Sequence, residues 1–585
     1  MWGLNKLYLL MEKQHNRGQD GAGVAAVKLN TEPGYPFLHR VRSANSQPIA
    51  DIFSQINKEV QELRKYQTDI MNHPGLMKGH IDFLGELLLG HLRYGTQGRN
   101  NAEFCHPFIK RHTIPARNLA LAGNFNLVNT DELFSLINID PGEFQKQSDL
   151  AAMMEVIHHF MVTADEESPG ELDVVQVLRK SISLFDGGFT VGGLVGNGDS
   201  FVFRDAHGIR PAYYFVNDEV IVAASERAAI RTVFNVGENE VKELMPGTGL
   251  IVKADGSYST PQLIEPKPRR ACSFERIYFS RGSDEKIYRE RSALGYNLSN
   301  QVLEAVNYDT KNTIVSFIPN TAEVAFYGLV KGMADYLNKV KLERILSWGN
   351  DISQEKLAEM IERKIRIEKV ATKDVKMRTF ITEDVSRNEM VQHVYDITYG
   401  TVNKGVDTLV VIDDSIVRGT TLKESIVRML ARLEPKKIVI VSSAPQIRYP
   451  DCYGIDMSKL GDFIAFRAAI ELMKSRGKEK CLQDLYEKCK ELERTGQLNS
   501  ENVVQQLYRT FTTDEISNKI ADLITPKDLK IPIQVIFQTI ESLHDACPTN
   551  TGDWYFTGNY PTPGGNRVVN KAFINYMEGK NVRGY

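Results

Sequence analysis

The stretch "TLVVIDDSIVRGTTLKESI", residues 408–426, decides how the chain is read. Leu409, Val410, Val411 and Ile412 form a short unbroken apolar run, the pattern of a strand buried on both faces in a parallel sheet. Asp413 and Asp414 stand side by side where that strand should end. Ser415, Arg418, Gly419, Thr420 and Thr421 then make a loop of small and polar residues. In "LKESIVRMLARL", Leu422, Ile426, Met429 and Leu430 recur at close to helical period. Two carboxylates and a small-residue loop thus lie between a strand and a helix.

Capping alone asks for less. One Asp or Thr ahead of a helix accepts a backbone N–H and stabilises it by about 1 kcal/mol. A helix N-terminus behind a small-residue loop is also an anion site, because free N–H groups and the dipole point at it. Carboxylates beside it cannot serve a phosphate. They can hold ribose hydroxyls, or waters on Mg²⁺, which binds few protein carboxylates and keeps several waters. The pattern implies a site for a phosphorylated ribose with a metal. Over twelve residues, "VVIDDSIVRGTT" resembles the phosphoribosyl-diphosphate (PRPP) motif of type I phosphoribosyltransferases. That resemblance implies that Asp413 and Asp414 hold the ribose diol and the metal. It implies that Ser415, Arg418, Gly419, Thr420 and Thr421 wrap the 5′-phosphate.

At 585 residues the chain has room for several domains of about 150 residues. A net charge of −3 gives no sign of a nucleic-acid binder. Six irregularly spaced cysteines fit a reducing cytosol, so a cytoplasmic protein is expected. No apolar run nears the ~18 residues of a membrane span, and no signal-peptide pattern is seen. Up to about residue 265, short apolar runs such as "ELLLGHLRYG", "LALAGNFNLV" and "FTVGGLVG" predict strands with helices between. "IEPKPRRAC" reads as a linker. From 272 to 460, strands and helices alternate, which predicts a parallel α/β sheet. Residues 461–585 read as a charged helical extension with a returning C-terminal segment. Within it Cys481, Leu485, Cys489 and Leu492 fall on one helical face, as core rather than metal ligands.

The first third carries "HNRGQDGAG", "GHLRYGTQGRNNAEFCHPF", "LAGNFNLVN" and "QSDLAAMMEV". Singly these have plain readings: turns at Gly18, Gly21 and Gly23, a solvated Arg93, a turn at Asn124, a helix cap at Asp149. In this order they resemble the class II glutamine amidotransferase domain, an Ntn-type αββα sandwich. The resemblance implies that Arg93 binds the glutamine α-carboxylate, which suits a guanidinium, and that Asp149 binds the α-ammonium. It makes Asn124 and the backbone N–H of Phe125 the oxyanion hole. The family usually has "NGN" where this chain has "NFN".

Together the two halves resemble the glutamine PRPP amidotransferases, over most of residues 1–460 and at "FTGNYPTP". The resemblance implies amination of PRPP to 5-phosphoribosylamine with release of pyrophosphate, from glutamine or ammonia, as the first step of purine synthesis. Mg²⁺ and a homo-oligomer are expected with it. Asparagine synthetase would need an ATP-pyrophosphatase loop, and glucosamine-6-phosphate synthase sugar-isomerase domains; neither is seen.

The sequence also departs from the family. Its nucleophile is an N-terminal Cys whose own amine is the base. Here the chain opens "MWGLNKLY", and the first cysteine is Cys105, which has no free amine. Leu4, Leu7, Tyr8 and Met11 predict the helix that in the family follows the Cys-bearing strand. Two expectations stay open: an upstream strand carries the nucleophile, or the glutaminase is silent and ammonia is used directly. In the second half "IPNTAEVA" places Ala322 where the family often has Ser or Thr. The loop "TEDVSRNEMVQHVYDITYG" offers only Arg387 and His393 as basic groups. Cys272 and Cys452 match two of the four ligands of an iron–sulfur cluster found in some relatives, with Gly552 and Tyr555 at the others. Two thiolates do not hold a [4Fe–4S] cluster, so none is expected. A catalytically silent PRPP- or nucleotide-binding regulatory paralogue is the alternative. The helical insertions near 335–375 and 461–535 are assigned no role.

Overall fold

The computed structural model describes residues 1–32, 34–66, 73–94, 101–140, 142, 148–373, 395–420, 422–455, 457–580 and 582–584. The run "GAGVAAV" forms β1 (Gly21–Val27), in which every residue is buried. Small residues are required there: a Cβ on Gly23 would lie 2.0 Å from the His106 carbonyl oxygen. β1 pairs antiparallel with β2 (Leu38–Ser43) and β3 (Leu87–Arg93). A second sheet holds β4 (Phe108–Lys110), β5 (Leu119–Leu127), β6 (Gly187–Val195), β7 (Ser200–Arg204), β11 (Gly249–Val252) and β12 (Tyr258–Ser259). A third joins β8 (Tyr213–Val216), β9 (Ile221–Ala224) and β10 (Lys242–Glu243) in the order β10-β8-β9.

Helices α1 (Trp2–Lys13), α2 (Pro48–Tyr66) and α5 (Arg227–Phe234) cover the first and third sheets. Helices α3 (Asp149–Glu167) and α4 (Val174–Ile182) cover the second, where Met153 and Ile157 meet Phe189, Phe201 and Phe203. β1 and β3 pack on β5 and β6, so the first part is an αββα sandwich. The predicted helix at Leu4, Leu7, Tyr8 and Met11 is α1.

In the second part β13 (Thr313–Phe317), β14 (Arg366–Ile367), β17 (Thr408–Asp413), β18 (Lys437–Ser442) and β19 (Ile533–Phe537) form one parallel sheet, in the order β14-β13-β17-β18-β19. The predicted run 409–412 lies in its centre and is wholly buried. Helices α6 (Glu285–Asn297) and α7 (Glu323–Ser347) pack together beside it. Helices α8 (Ile464–Ser475) and α9 (Thr513–Ile524) lie against each other, and α9 packs on β19. β19 is a departure from the sequence reading, which gave 461–585 no strand. "IQVIF" sits among charged helices, and a five-residue strand becomes recognisable only through its partner β18. Of the two helical cysteines read as core, Cys489 is buried but Cys481 is exposed.

The last segment returns beneath the linker. Cys272 Sγ lies 2.8 Å from the Tyr555 hydroxyl, and Trp554 Nε1 donates to Asp451 at 2.8 Å. Trp554, Tyr555 and Tyr453 are fully buried there. A buried ion cluster joins the parts. Arg17 pairs with Glu226 and Glu275, each at 2.8 Å, and Arg210 pairs with Glu275 at 2.8 Å. Burial alone would raise the Glu275 carboxyl, but Arg17 and Arg210 outweigh it and hold it at about 2.

Glu275→Gln leaves two buried guanidinium groups short of a counter-charge. It should cost about 3 kcal/mol or more in denaturant unfolding at pH 7. A carboxyl held below its ordinary range stabilises above its unfolded value and loses that as the pH falls through the folded one. The gap between parent and variant should therefore narrow below about pH 4.

Candidate active sites

The acid pair ends β17, and the sheet explains its place: parallel strands carry their loops at the C-terminal edge, where β13 and β18 flank it. Asp413 Oδ1 accepts the Asp414 N–H at 2.9 Å, and Asp414 Oδ1 accepts the Ser415 hydroxyl at 2.8 Å. The loop then turns at Gly419, whose φ of 72° is left-handed. A Cβ there would also lie 2.2 Å from Ile464 Cδ1. Helix α8 braces the loop: Ile464 N–H donates to the Val417 carbonyl at 2.9 Å, and Arg467 to the Arg418 carbonyl at 2.6 Å. Arg418 and Thr420 are exposed. Thr421 lies outside the described residues, as do Arg387 and His393. The predicted helix follows, with Leu422, Ile426, Met429 and Leu430 all buried.

Burial lifts Asp413 well above the usual carboxylate range, and repulsion from Asp414 adds to it. Burial lifts Asp414 to about 6, against the pull of Ser415, Arg291, Thr321 and Lys373. Carboxylate oxygens suit a hard cation, and among the described residues no group of three or more His, Cys, Asp or Glu could hold a metal. Two acids with free coordination left for water and substrate fit Mg²⁺.

The first part borders a cavity of about 750 Å³. Arg93, Asn124, Phe125 and Asp149 all line it, so the fold brings the four predicted residues together. Arg93 is buried and donates to the Asn101 carbonyl at 3.3 Å. Asp149 opens α3 and accepts the Leu127 N–H at 3.0 Å. Burial raises its carboxyl to about 6. Phe125 is extended, opposite Phe189 of β6, so no left-handed conformation stands against its side chain. Gly123 N–H points to His106 and Leu127 N–H to Asp149, both away from β6. By the alternation of an antiparallel ladder, Phe125 N–H points the same way, as an oxyanion donor must. Its ring stacks on His106 at 6.0 Å. Among the described residues Cys105 is not part of the cavity lining. It is buried, which raises its thiol.

The two sites meet through one segment, Glu275–Phe279. Phe279 lines the cavity, while Tyr278 feels the charges of Asp413 and Asp414. Gly454, at a φ of 113°, lies against Asn124 and the Phe125 backbone.

No family model matches the chain. Curated relatives do. The amidophosphoribosyltransferase of Pasteurella multocida is 26% identical over 492 residues, covering 82% of this chain and 84% of that one. Those of Archaeoglobus fulgidus and Escherichia coli are each 26% identical, over 79% and 78% of this chain and 84% and 80% of theirs. The glutamine PRPP amidotransferase of Bacillus subtilis, solved with ADP and GMP, superposes with a TM-score of 0.63 at 21% identity, over 95% of this chain and 94% of that one. The chain is a homologue of the amidophosphoribosyltransferases.

Against that relationship, three groups went unread in the sequence. Lys373 acts on both acids from the end of β15 (Ala371–Lys373), which pairs with β16 (Tyr395–Ile397). Thr321 bonds Asp414, supplying the hydroxyl that Ala322 lacks. His91 and His106 lie with ring centroids 4.3 Å apart, tilted to each other, in the same cavity as Arg93, and burial disfavours the charged form of both, lowering His91 to about 4. Only the order of residues around Ala322 hinted at any of these.

Raised carboxyls favour the folded state below their unfolded values and oppose it as the pH climbs through the folded ones. Asp413→Asn and Asp414→Asn should therefore raise the melting temperature of the ligand-free protein at pH 8. The gain should fade as the pH falls through 6 towards 4 in thermal melts.

Proposed function

We propose that this chain joins nitrogen, from glutamine or ammonia, to C1 of PRPP, giving 5-phosphoribosylamine and pyrophosphate as the opening step of purine synthesis. The observation that carries the reading is the pair of sites on one chain: the acid pair and small-residue loop at the end of β17, and the cavity lined by Arg93, Asn124, Phe125 and Asp149, with the segment Glu275–Phe279 running from the field of the acids to the cavity wall. Asp413 and Asp414 grip the ribose diol, and the amides of residues 415–421 take the 5′-phosphate. Mg²⁺, when bound by Asp413 and Asp414, neutralises the leaving pyrophosphate. The transferase step needs no protein nucleophile. Charge builds on the ribose as pyrophosphate departs, and rate comes from position and from the nearby anions. Residues 1–265 would serve glutamine and 272–460 PRPP, with 461–585 completing the sheet through β19. No iron–sulfur cluster belongs to this reading, since the Tyr555 hydroxyl holds the Cys272 thiol. The setting is cytoplasmic, the assembly a homo-oligomer.

The glutaminase half has a gap of defined shape. Consecutive residues of β3 (Leu88–Arg93) and of β9 (Ile221–Ala224) line the cavity, so strand edges border it rather than strand faces. Among the described residues neither edge has a partner strand. Helix α1 roofs the gap through Leu7, Leu10 and Met11. It runs alongside β3, with Gly3 near Leu88, and Leu7 and Met11 near Gly90. A strand seated there and leading into Met1 would run antiparallel to β3, with its first residue beside Arg93 and the Phe125 N–H. This supports the upstream-strand reading. The silent regulatory alternative leans on Ala322, which Thr321 offsets.

Asp414→Asn should lower ammonium-dependent pyrophosphate release about a hundredfold with the fold intact. Undiminished release would end the assignment. PRPP binding by the parent chain without any release would favour the regulatory alternative. Release assayed with glutamine should appear only when an upstream Cys-bearing strand is added, while ammonium serves both lengths. Glutamine use by the chain from Met1 would overturn the strand reading.

A further inference from the structure

Along the open edge of β5, Gly123, Phe125 and Leu127 turn their N–H groups away from β6. Leu127 donates to Asp149 at 3.0 Å, and Gly123 donates to His106 Nδ1 at 3.4 Å. The Gly123 carbonyl is taken as well, by His91 Nε2 at 3.1 Å. Gly123 is thus held at both its backbone polar groups by two imidazoles whose ring centroids are 4.3 Å apart.

The register of β4 explains His106. Phe108 stands opposite Leu121, so two residues back His106 would stand opposite Gly123. Its backbone turns aside instead, and its carbonyl oxygen packs on β1, 2.0 Å from where a Gly23 Cβ would lie. The ring takes the place that the ladder leaves. Gly123 has no room for a side chain: a Cβ would lie 2.8 Å from the Thr190 carbonyl oxygen and 2.9 Å from Phe125 Cδ1. The Phe125 ring stacks on His106, with centroids 6.0 Å apart. Accepting at Nδ1 leaves the His106 proton on Nε2. A carbonyl only accepts, so His91 donates from Nε2, and its buried Nδ1 has no partner among the described residues. A core role alone gives no reason to forgo that bond.

We propose that His106, backed by His91, is a positioning residue for the oxyanion donor: the two rings fix the Gly123 backbone and thereby the direction of the Phe125 N–H two residues on. This rests on Asn124 and Phe125 being the oxyanion donors. A strand edge without a neighbour is free to twist, and a donor swung off its line loses most of its bond. His106 on one side and Asp149 on the other brace that edge, so the amide between them keeps its line.

Calorimetric titration of the full chain with two amino acids tests this without a nucleophile. L-glutamate brings an anionic side-chain oxygen to the donor, and L-norvaline brings none. The parent should prefer L-glutamate about tenfold. His106→Phe keeps the ring and loses the acceptor; it should cut that preference about fivefold and leave L-norvaline binding as it was. His106→Gln, whose carbonyl can accept the Gly123 N–H, should restore most of the preference. A merely structural role would weaken both ligands alike, and that result overturns the proposal. So does a His106→Phe preference equal to the parent's, or a His106→Gln preference no better than that of His106→Phe. Asn124→Ala keeps the two readings apart. If it erases the preference while His106→Phe does not, only the positioning role falls. If it keeps the preference, or if the parent binds the two ligands alike or binds neither, the oxyanion reading falls and the positioning role with it.

Discussion

Glu275, buried between Arg17 and Arg210, is the constraint on which both sites depend. Arg17 belongs to "HNRGQ", and the adjacent Gly18 packs on the Arg93 backbone so tightly that a Cβ would lie 2.5 Å from its carbonyl carbon. Glu275 opens the short helix in which Tyr278 lies within the field of the acid pair and Phe279 lines the cavity. A buried charge pair is weak evidence of net stability but strong evidence of fixed geometry, because either charge alone would be untenable there. The cluster therefore ties the segment that carries Arg17 and packs on Arg93 to the segment that leads toward the acid pair.

The acid pair shows the opposite arrangement. Asp413 and Asp414 resist ionisation because they are desolvated, and for Asp413 repulsion from Asp414 adds to it. A cation or a polarised hydroxyl beside the pair favours its charged form. The sheet bears the strain: β17 is central, flanked on both sides, and its four apolar residues are wholly buried. An edge strand, free to fray, could not hold two repelling carboxylates in register.

What was legible in the sequence was local. The run 409–412, the two acids and the left-handed Gly419 lie within a dozen residues, where period and turn chemistry speak for themselves. Arg93, Asn124 and Asp149 needed a resemblance to be read together, because each alone has an ordinary role. What stayed hidden depended on distant partners. β19 is a strand because β18 offers it an edge. Lys373 matters because a strand pair carries it to the acids, 40 residues away in sequence from Asp413. Phe125 fits where glycine was expected because β6 holds it extended and His106 stacks on its ring.

The gap between β3 and β9 bears on why the amidotransferase half keeps its shape. Two strand edges face one cavity, and each presents backbone donors and acceptors that must find water or a strand. Water can satisfy them, but it does not account for the roof. Leu7, Leu10 and Met11 turn apolar surface toward the same space, and an apolar lid over solvent-filled edges is poorly matched. A strand resolves both demands at once, pairing its backbone sideways and its side chains upward. It would also join two three-stranded sheets into one, with α1 spanning the join from β3 to α5. The arrangement of helix, edges and cavity is thus that of a seat for a strand, with the Phe125 N–H and Arg93 at the end where that strand would begin.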